Sequence, residues 1–223
     1  PPDRKDKPIT IVDVPKLIGI GYFNATSKGM QDAAKELGSV TVTVNGTRAP
    51  VLAVSANQIN FQVPFSTPVG KASIVVTSNG VMTPLTEVDI LGTSPGVFQT
   101  SSNRALAVNQ NGTVNDVSRP ASAGSIVSLY VTGAGAFSTL LTTGGTAPTD
   151  PLLRLPSTTT LSVTIGGSPA EVLYAGAAPA QASGLLQINV RVPASTRTGD
   201  QEVLVTINGQ QSNRPLLAVS ATQ

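Results

Sequence analysis

Gln58-Ile59-Asn60-Phe61-Gln62-Val63-Pro64 returns later in the chain as Gln187-Ile188-Asn189-Val190-Arg191-Val192-Pro193. Each copy alternates apolar and polar residues with a period of two. The first puts Ile59, Phe61 and Val63 on one side and Gln58, Asn60 and Gln62 on the other, the pattern of a half-buried strand. Each copy stops at a proline, which has no N–H for a sheet ladder.

The flanks of both copies also correspond. Val163-Thr164-Ile165-Gly166-Gly167 follows Val42-Thr43-Val44-Asn45-Gly46 at a spacing of 121, as Ala170-Glu171-Val172-Leu173 follows Ala49-Pro50-Val51-Leu52. The spacing is 129 for the quoted stretch, for Gly199 against Gly70, and for Val205-Thr206-Ile207-Asn208-Gly209 against Val76-Thr77-Ser78-Asn79-Gly80. The second copy therefore carries eight extra residues between Tyr174 and Leu186. Asn45-Gly46 and Asn79-Gly80, set between β-branched runs, predict tight hairpins. Four blocks in register predict two homologous β modules.

The expected boundaries are a first module over 39–92, a connecting hairpin segment over 93–123 and a second module over 124–223. The second opens with Gly124-Ser125-Ile126-Val127-Ser128-Leu129-Tyr130-Val131-Thr132-Gly133, a strand without a counterpart in the first. The stretch 138–160 is rich in Thr, Gly and Pro and reads as a long exposed loop.

Residues 1–38 differ. They hold 11 of the chain's 26 charged residues, which marks a boundary near residue 38. Residues 1–7 form a charged, proline-bearing tail. Ile9-Thr10-Ile11-Val12-Asp13-Val14 reads as a strand ended by Pro15. From Asn24 to Leu37 the apolar stripe Met30, Ala33, Ala34, Leu37 predicts a helix, with Gly38 past its end. The chain opens at Pro1 without Met, as a processed or excised segment would.

Composition narrows the function. Charged residues are 12% of the chain and the net charge is +2, without a dense basic patch. Nucleic acid is therefore not an expected partner. No apolar run reaches the roughly 18–20 residues of a membrane-spanning helix. Cysteine and histidine are absent. A Ser/His/Asp or Cys/His triad is thus impossible within this chain, as are thiolate zinc sites. No metal, catalytic residue or cofactor is expected.

Two resemblances follow from these residues. Over 39–220, the motifs Val44-Asn45-Gly46, the two copies of the opening stretch, Ser94-Pro95-Gly96-Val97-Phe98, Ala107-Val108-Asn109-Gln110-Asn111-Gly112-Thr113-Val114-Asn115, Leu129-Tyr130-Val131-Thr132-Gly133 and Val172-Leu173-Tyr174-Ala175-Gly176 resemble the uncharacterised Solibacter-type C-terminal domain of exported bacterial proteins. The strand spacing is similar, more loosely, to TIG/IPT immunoglobulin-like domains. This resemblance implies an all-β fold of two tandem immunoglobulin-like β-sandwiches, and an exported location. Second, Pro15-Lys16-Leu17-Ile18-Gly19-Ile20-Gly21-Tyr22-Phe23, with the 29–38 helix, resembles the first β–loop–α unit of periplasmic sugar-binding proteins of the rhamnose and autoinducer-2 type. That resemblance implies ligand contacts at Lys16, Tyr22 and Phe23 and a small sugar as partner. The remaining βα units of that family are missing. A fusion near residue 38 would account for the charge break and the missing opening strand together.

Other candidate chemistry is sparse. Glu87 and Asp89 share one face of a strand, where two carboxylates could approach an ion. Glu171, Asp200 and Glu202 are the remaining carboxylates considered for acid/base work. Gly19-Ile20-Gly21 and Gly133-Ala134-Gly135 lack the rest of a dinucleotide fingerprint. Tyr130 and Tyr174 are expected in core or rim packing, with carbohydrate stacking the alternative. The polar side of 58–64 is expected to hydrogen-bond at a sheet edge or between modules. The expected role is non-enzymatic adhesion, spacing or protein contact, with protein or cell-surface polysaccharide as partner. A sugar solute-binding role and a carbohydrate-binding accessory role are the alternatives.

Overall fold

The structure is a computed structural model that describes residues 40–55 and 58–221. The strand, helix and ligand residues expected before residue 39, including Lys16, Tyr22 and Phe23, lie outside the described residues. The described chain is all-β and divides into two compact units after Ile90.

The first unit contains β1 (Val40–Val44), β2 (Thr47–Ala49), β3 (Val51–Val54), β4 (Ile59–Phe61), β5 (Gly70–Ser78), β6 (Val81–Met82) and β7 (Thr86–Ile90). One sheet runs β2-β1-β5-β6, with β7 also on β5, and β3 and β4 pair separately. The apolar run over 49–54 is divided at Pro50, which separates β2 from β3. Proline cannot donate to a ladder, so the chain leaves one sheet there and enters the other. Val42, Val44, Phe61, Ala72, Ile74 and Val76 fill the core between them.

The second unit contains β8 (Gly96–Val97), β9 (Ala107–Asn109), β10 (Ala121–Ser122), β11 (Ile126–Thr132), β12 (Leu161–Ile165), β13 (Ser168–Ala177), β14 (Leu186–Arg191), β15 (Gly199–Ile207), β16 (Gln210–Gln211) and β17 (Leu216–Ser220). Strand β13 belongs to both layers: its first residues pair with β12, and the stretch from Glu171 to Ala177 pairs with β14. The path β10-β17-β15-β12 thereby turns over into β13-β14-β11-β8. Val163, Ile165, Val203, Val205 and Leu217 meet Val127, Leu129, Ile188 and Val190 in one core. The two units are tandem immunoglobulin-like sandwiches.

The repeat holds pair by pair. Val42 opposes Val76 and Ala49 in the first unit, as Val163 opposes Val205 and Ala170 in the second. Both modules carry a register shift at the same place, between Val51 and Ala53 and between Val172 and Tyr174. Val76 N–H donates to Thr83 Oγ1 at 3.1 Å, and Val205 N–H donates to Ser212 Oγ at 3.0 Å. At Asn45-Gly46, φ is +50° and +76°. Both turn residues are left-handed, as the strand twist requires of a two-residue hairpin, and Asn and Gly tolerate this best.

Two loop expectations are corrected. The 93–123 segment is not merely a connecting hairpin. It supplies β8 and β9, which pair with β11, and β10, which pairs with β17. Val97, Ala105, Ala107, Ala121 and Ala123 lie in the second unit's core. The 138–160 stretch is not an exposed loop throughout. Leu155 N–H donates to the Ala175 carbonyl and Ala177 N–H to the Leu153 carbonyl, so the stretch pairs with the free side of β13. Leu141 and Ala147 of the same stretch are themselves buried. Its polar composition concealed this because the attachment is made by backbone groups, which every residue carries.

Candidate functional site

The quoted stretch is the natural starting point, because its polar side recurs. Gln58 Nε2 donates to Asn60 Oδ1 at 2.6 Å, and Gln187 Nε2 donates to Asn189 Oδ1 at 2.9 Å. Side chains two apart on a strand share a face, so each pair closes on itself. Asn60 and Gln62 are buried. Two of the three polar side chains of the first copy are therefore covered, while Gln58 is exposed. In the second copy Arg191 donates from Nε to Glu171 Oε2 at 2.9 Å and from Nη1 to the Gly124 carbonyl at 3.2 Å.

The carboxylates do not converge. Glu87 and Asp89 lie on the exposed face of β7, where Asp89 pairs with Lys71 at 2.8 Å. Glu171 pairs with Arg191, and Glu202 lies 3.7 Å from Arg214. Asp200 accepts both Arg104 Nη1 and Nη2, at 2.8 and 2.7 Å. The hydrogen-bonded Arg104 guanidinium holds the Asp200 carboxyl below its ordinary pKa. Asp116 is likewise lowered, chiefly by hydrogen bonds from Arg119 and Ser118. A general acid needs the opposite, a carboxyl pushed up by burial or a like charge. Among the described residues, no three metal-ligating side chains come together.

The tyrosines divide. Tyr130 sits on β11, with burial raising its hydroxyl pKa. Tyr174 is 7% exposed. Its hydroxyl donates to the Ala177 carbonyl at 3.0 Å, with the Leu153 carbonyl at 3.4 Å. The Arg154 guanidinium lies 5.0 Å from the ring centroid, within cation–π range. Arg154, Leu155, Pro156, Thr159, Val172 and Tyr174 are among the residues lining a shallow open cleft of ≈ 200 Å³. Sugar stacking needs an open aromatic face. Here the arginine occupies it, and the core-packing reading of Tyr174 describes what is seen. The cleft offers a cation and apolar walls but no carboxylate.

Sequence reasoning missed the residues that organise this unit, Asn109, Asn115 and Asn213. Asn115 is 4% exposed and Asn109 7%. Asn115 Nδ2 donates to Asn109 Oδ1 at 3.0 Å and to the Ala218 carbonyl at 2.9 Å. Its Oδ1 accepts the Ala218 N–H at 2.9 Å. Asn109 Nδ2 donates onward to the Arg119 carbonyl at 2.9 Å. Asn213 treats Val97 as Asn115 treats Ala218: it accepts the Val97 N–H at 2.7 Å and donates to the Val97 carbonyl at 3.0 Å. The signal is present in the asparagine-rich 107–115 motif, whose turn at Gln110-Asn111-Gly112-Thr113 directs Asn109 and Asn115 inward.

Two glycines of the quoted motifs are explained by close approach. A Cβ on Gly133, whose φ is +76°, would sit 1.7 Å from the Ser94 carbonyl oxygen. A Cβ on Gly176 would sit 2.1 Å from the Leu153 carbonyl oxygen.

No protein-family model matches the chain, and no curated protein matches it. Solved structures do. SGBP-B of the mixed-linkage glucan utilization locus of Bacteroides ovatus, in complex with a mixed-linkage heptasaccharide, is similar at 15% identity and a TM-score of 0.30. That match covers 82% of this chain and 37% of the other, so the chain spans little over a third of that neighbour. A titin tandem of Ig domains is similar at 10% identity and a TM-score of 0.26, covering 84% of this chain and 83% of that one. The C-terminal domain of the AgI/II polypeptide BspA of Streptococcus agalactiae is similar at 11% identity and a TM-score of 0.23, covering 72% and 61%.

Proposed function

We propose that the chain is a non-enzymatic contact module of an exported bacterial protein, serving adhesion, spacing or protein–protein contact. One observation carries this reading. Asp89, Glu171, Asp200 and Glu202 are each matched to a cation, and among the described residues no carboxylate lines the cleft beside Tyr174. Catalysis needs the reverse, titratable groups converging where a substrate sits. A low charge density supports the same reading, since it suits apposition to a neighbouring surface more than long-range steering of ions.

The partner is a protein or a cell-surface polysaccharide, met by strand edges and loops. A thermal-shift series with rhamnose and other monosaccharides, together with pull-downs on insoluble polysaccharides, tests this. The reading expects no monosaccharide to raise the melting temperature. A rise abolished by Lys16→Ala would replace it with the solute-binding reading, in which Lys16, Tyr22 and Phe23 hold a small sugar. Retention on polysaccharide, lost on Tyr130→Ala, would make the chain a carbohydrate-binding accessory.

A further inference from the structure

The outer face of the β13-β14-β11 layer carries polar groups that the fold does not use. Val127, Leu129 and Val131 of β11 and Ile188 and Val190 of β14 point into the core. Alternate residues of a strand face opposite sides. Ser128 and Tyr130 therefore stand on the outer face with Gln187 and Asn189: Tyr130 is directly opposite Gln187, and Ser128 is opposite Asn189. The row continues across the sheet. Gln187 is opposite Gly176, and Gly176 is opposite Arg154. Residues directly opposite in an antiparallel ladder share a face. Arg154, Gln187 and Tyr130 thus lie in one line across four extended segments, about 14 Å long at the usual spacing between strands.

Local contacts fix the members of this line. Gly176 has no side chain, and a Cβ there would meet the Tyr174 hydroxyl at 2.6 Å. The hydroxyl reaches into that gap, and the Tyr174 ring seats the Arg154 guanidinium, 5.0 Å from its centroid. Among the described residues Arg154 has no carboxylate partner, whereas Arg104, Arg119, Arg191 and Arg214 each have one. Gln187 Nε2 donates to Asn189 Oδ1 at 2.9 Å. That bond leaves Gln187 Oε1 to accept and Asn189 Nδ2 to donate outward. Tyr130, Ser128, Gln187 and Asn189 are only half-buried, so a ligand can reach them. In the first copy Asn60 is buried, and only the second unit presents both amides.

We infer that this line binds a carboxylate-bearing polysaccharide laid across the strands, with a uronate carboxylate on Arg154 and sugar hydroxyls on Gln187, Asn189 and Tyr130. The inference rests on the contact-module reading and selects polysaccharide from its two kinds of partner. A guanidinium offers a carboxylate two parallel donors. Beside it stand neutral amides and hydroxyls, which together donate and accept, as the hydroxyls of a sugar do. A protein partner calls for an apolar centre to the contact, and this face places amides there instead. A line of about 14 Å also exceeds one sugar ring, which suits a polymer and not a monosaccharide.

Titration calorimetry of the full chain with soluble polygalacturonate tests this, beside the same polymer methyl-esterified and poly-glutamate. The expected result is binding of polygalacturonate, weakened at least about tenfold both by esterification and by Arg154→Gln, since each removes a charge-assisted hydrogen bond. Arg197→Gln removes the same charge from an exposed position elsewhere in the unit and should change nothing. No binding of polygalacturonate, equal binding of its ester, or an equal loss with Arg197→Gln would each overturn the assignment. Poly-glutamate bound as tightly would overturn it in favour of an acidic protein. The ester comparison uses the unaltered chain, so the test stands even where a variant folds poorly. These failures leave the contact-module reading in place, since that reading falls instead to stabilisation by a monosaccharide.

Discussion

Asn115 holds Ala218 by both of its backbone groups, accepting from its N–H and donating to its carbonyl, each at 2.9 Å. This is how one strand pairs with another, done here by a side-chain amide. Asn213 repeats the arrangement on Val97, at 2.7 and 3.0 Å. The two clasps run in opposite directions. Asn115 reaches from the 91–123 stretch to β17, and Asn213 reaches from the β16–β17 loop to β8. Between them they make the 91–123 stretch part of the second sandwich.

Loss of either clasp should therefore be felt as loss of the whole unit. Asn115→Ala strands the buried Ala218 N–H and carbonyl, and an unmade buried hydrogen bond costs about 1–3 kcal/mol. The expected destabilisation is about 2–4 kcal/mol by urea titration, with Asn115→Asp costing as much because it cannot donate. Asn213→Ala should cost less, about 1–2 kcal/mol, because its partners are only part-buried. A loss under about 0.5 kcal/mol at Asn115 would show that water replaces the amide freely.

Gly133→Ala forces a side chain into the Ser94 carbonyl at a left-handed position. Ser94 N–H also donates to the Gly133 carbonyl at 2.8 Å, so the contact cannot open without breaking that bond. Strain and a lost bond together should cost at least about 2 kcal/mol. Gly167→Ala has a left-handed φ of +78° but open space around its Cβ, and should cost only about 1 kcal/mol. Comparing the two midpoints separates the steric cost from the conformational one.

Arg104 and Asp200 tie the 91–123 stretch to β15 by a two-point ion pair. The folded-state pKa of Asp200 is depressed. Its contribution is therefore present above the unfolded value, about 3.9, and fades as pH falls through the folded value. Because the pair is partly solvated, at side-chain exposures of 19% and 39%, it is worth no more than about 1 kcal/mol. Asp200→Asn should lower the urea midpoint at pH 7, and its difference from the parent should shrink progressively as pH is lowered below about 3.9. A difference that does not change with pH would mean that the carboxylate's charge contributes nothing.

Much of this architecture was legible in the chain. The spacings of 121 and 129 anticipated which residues oppose one another, down to Val42 with Val76 and Val163 with Val205. What escaped was held by features without periodicity. Strands β8, β9 and β10 are two or three residues long, too short for a period of two to register. Pro50 divides two strands belonging to different sheets, a break that the apolar run around it conceals. Arg154, over the ring of Tyr174, comes from a stretch that composition alone presents as an exposed loop. Neither the matching of Asp89, Glu171, Asp200 and Glu202 with cations nor the inward turn of Asn109 and Asn115 is visible without the long-range partners.

Native-state hydrogen exchange of the second unit tests the central claim most directly. If residues 91–221 form one sandwich closed by Asn115 and Asn213, the amides of Val97, Ala105 and Ala218 share the opening free energy of Val127 and Ile188. Exchange at Val97 and Ala105 at open-chain rates, with Val127 and Ile188 still protected, would contradict it and return the 91–123 stretch to the role of a connector.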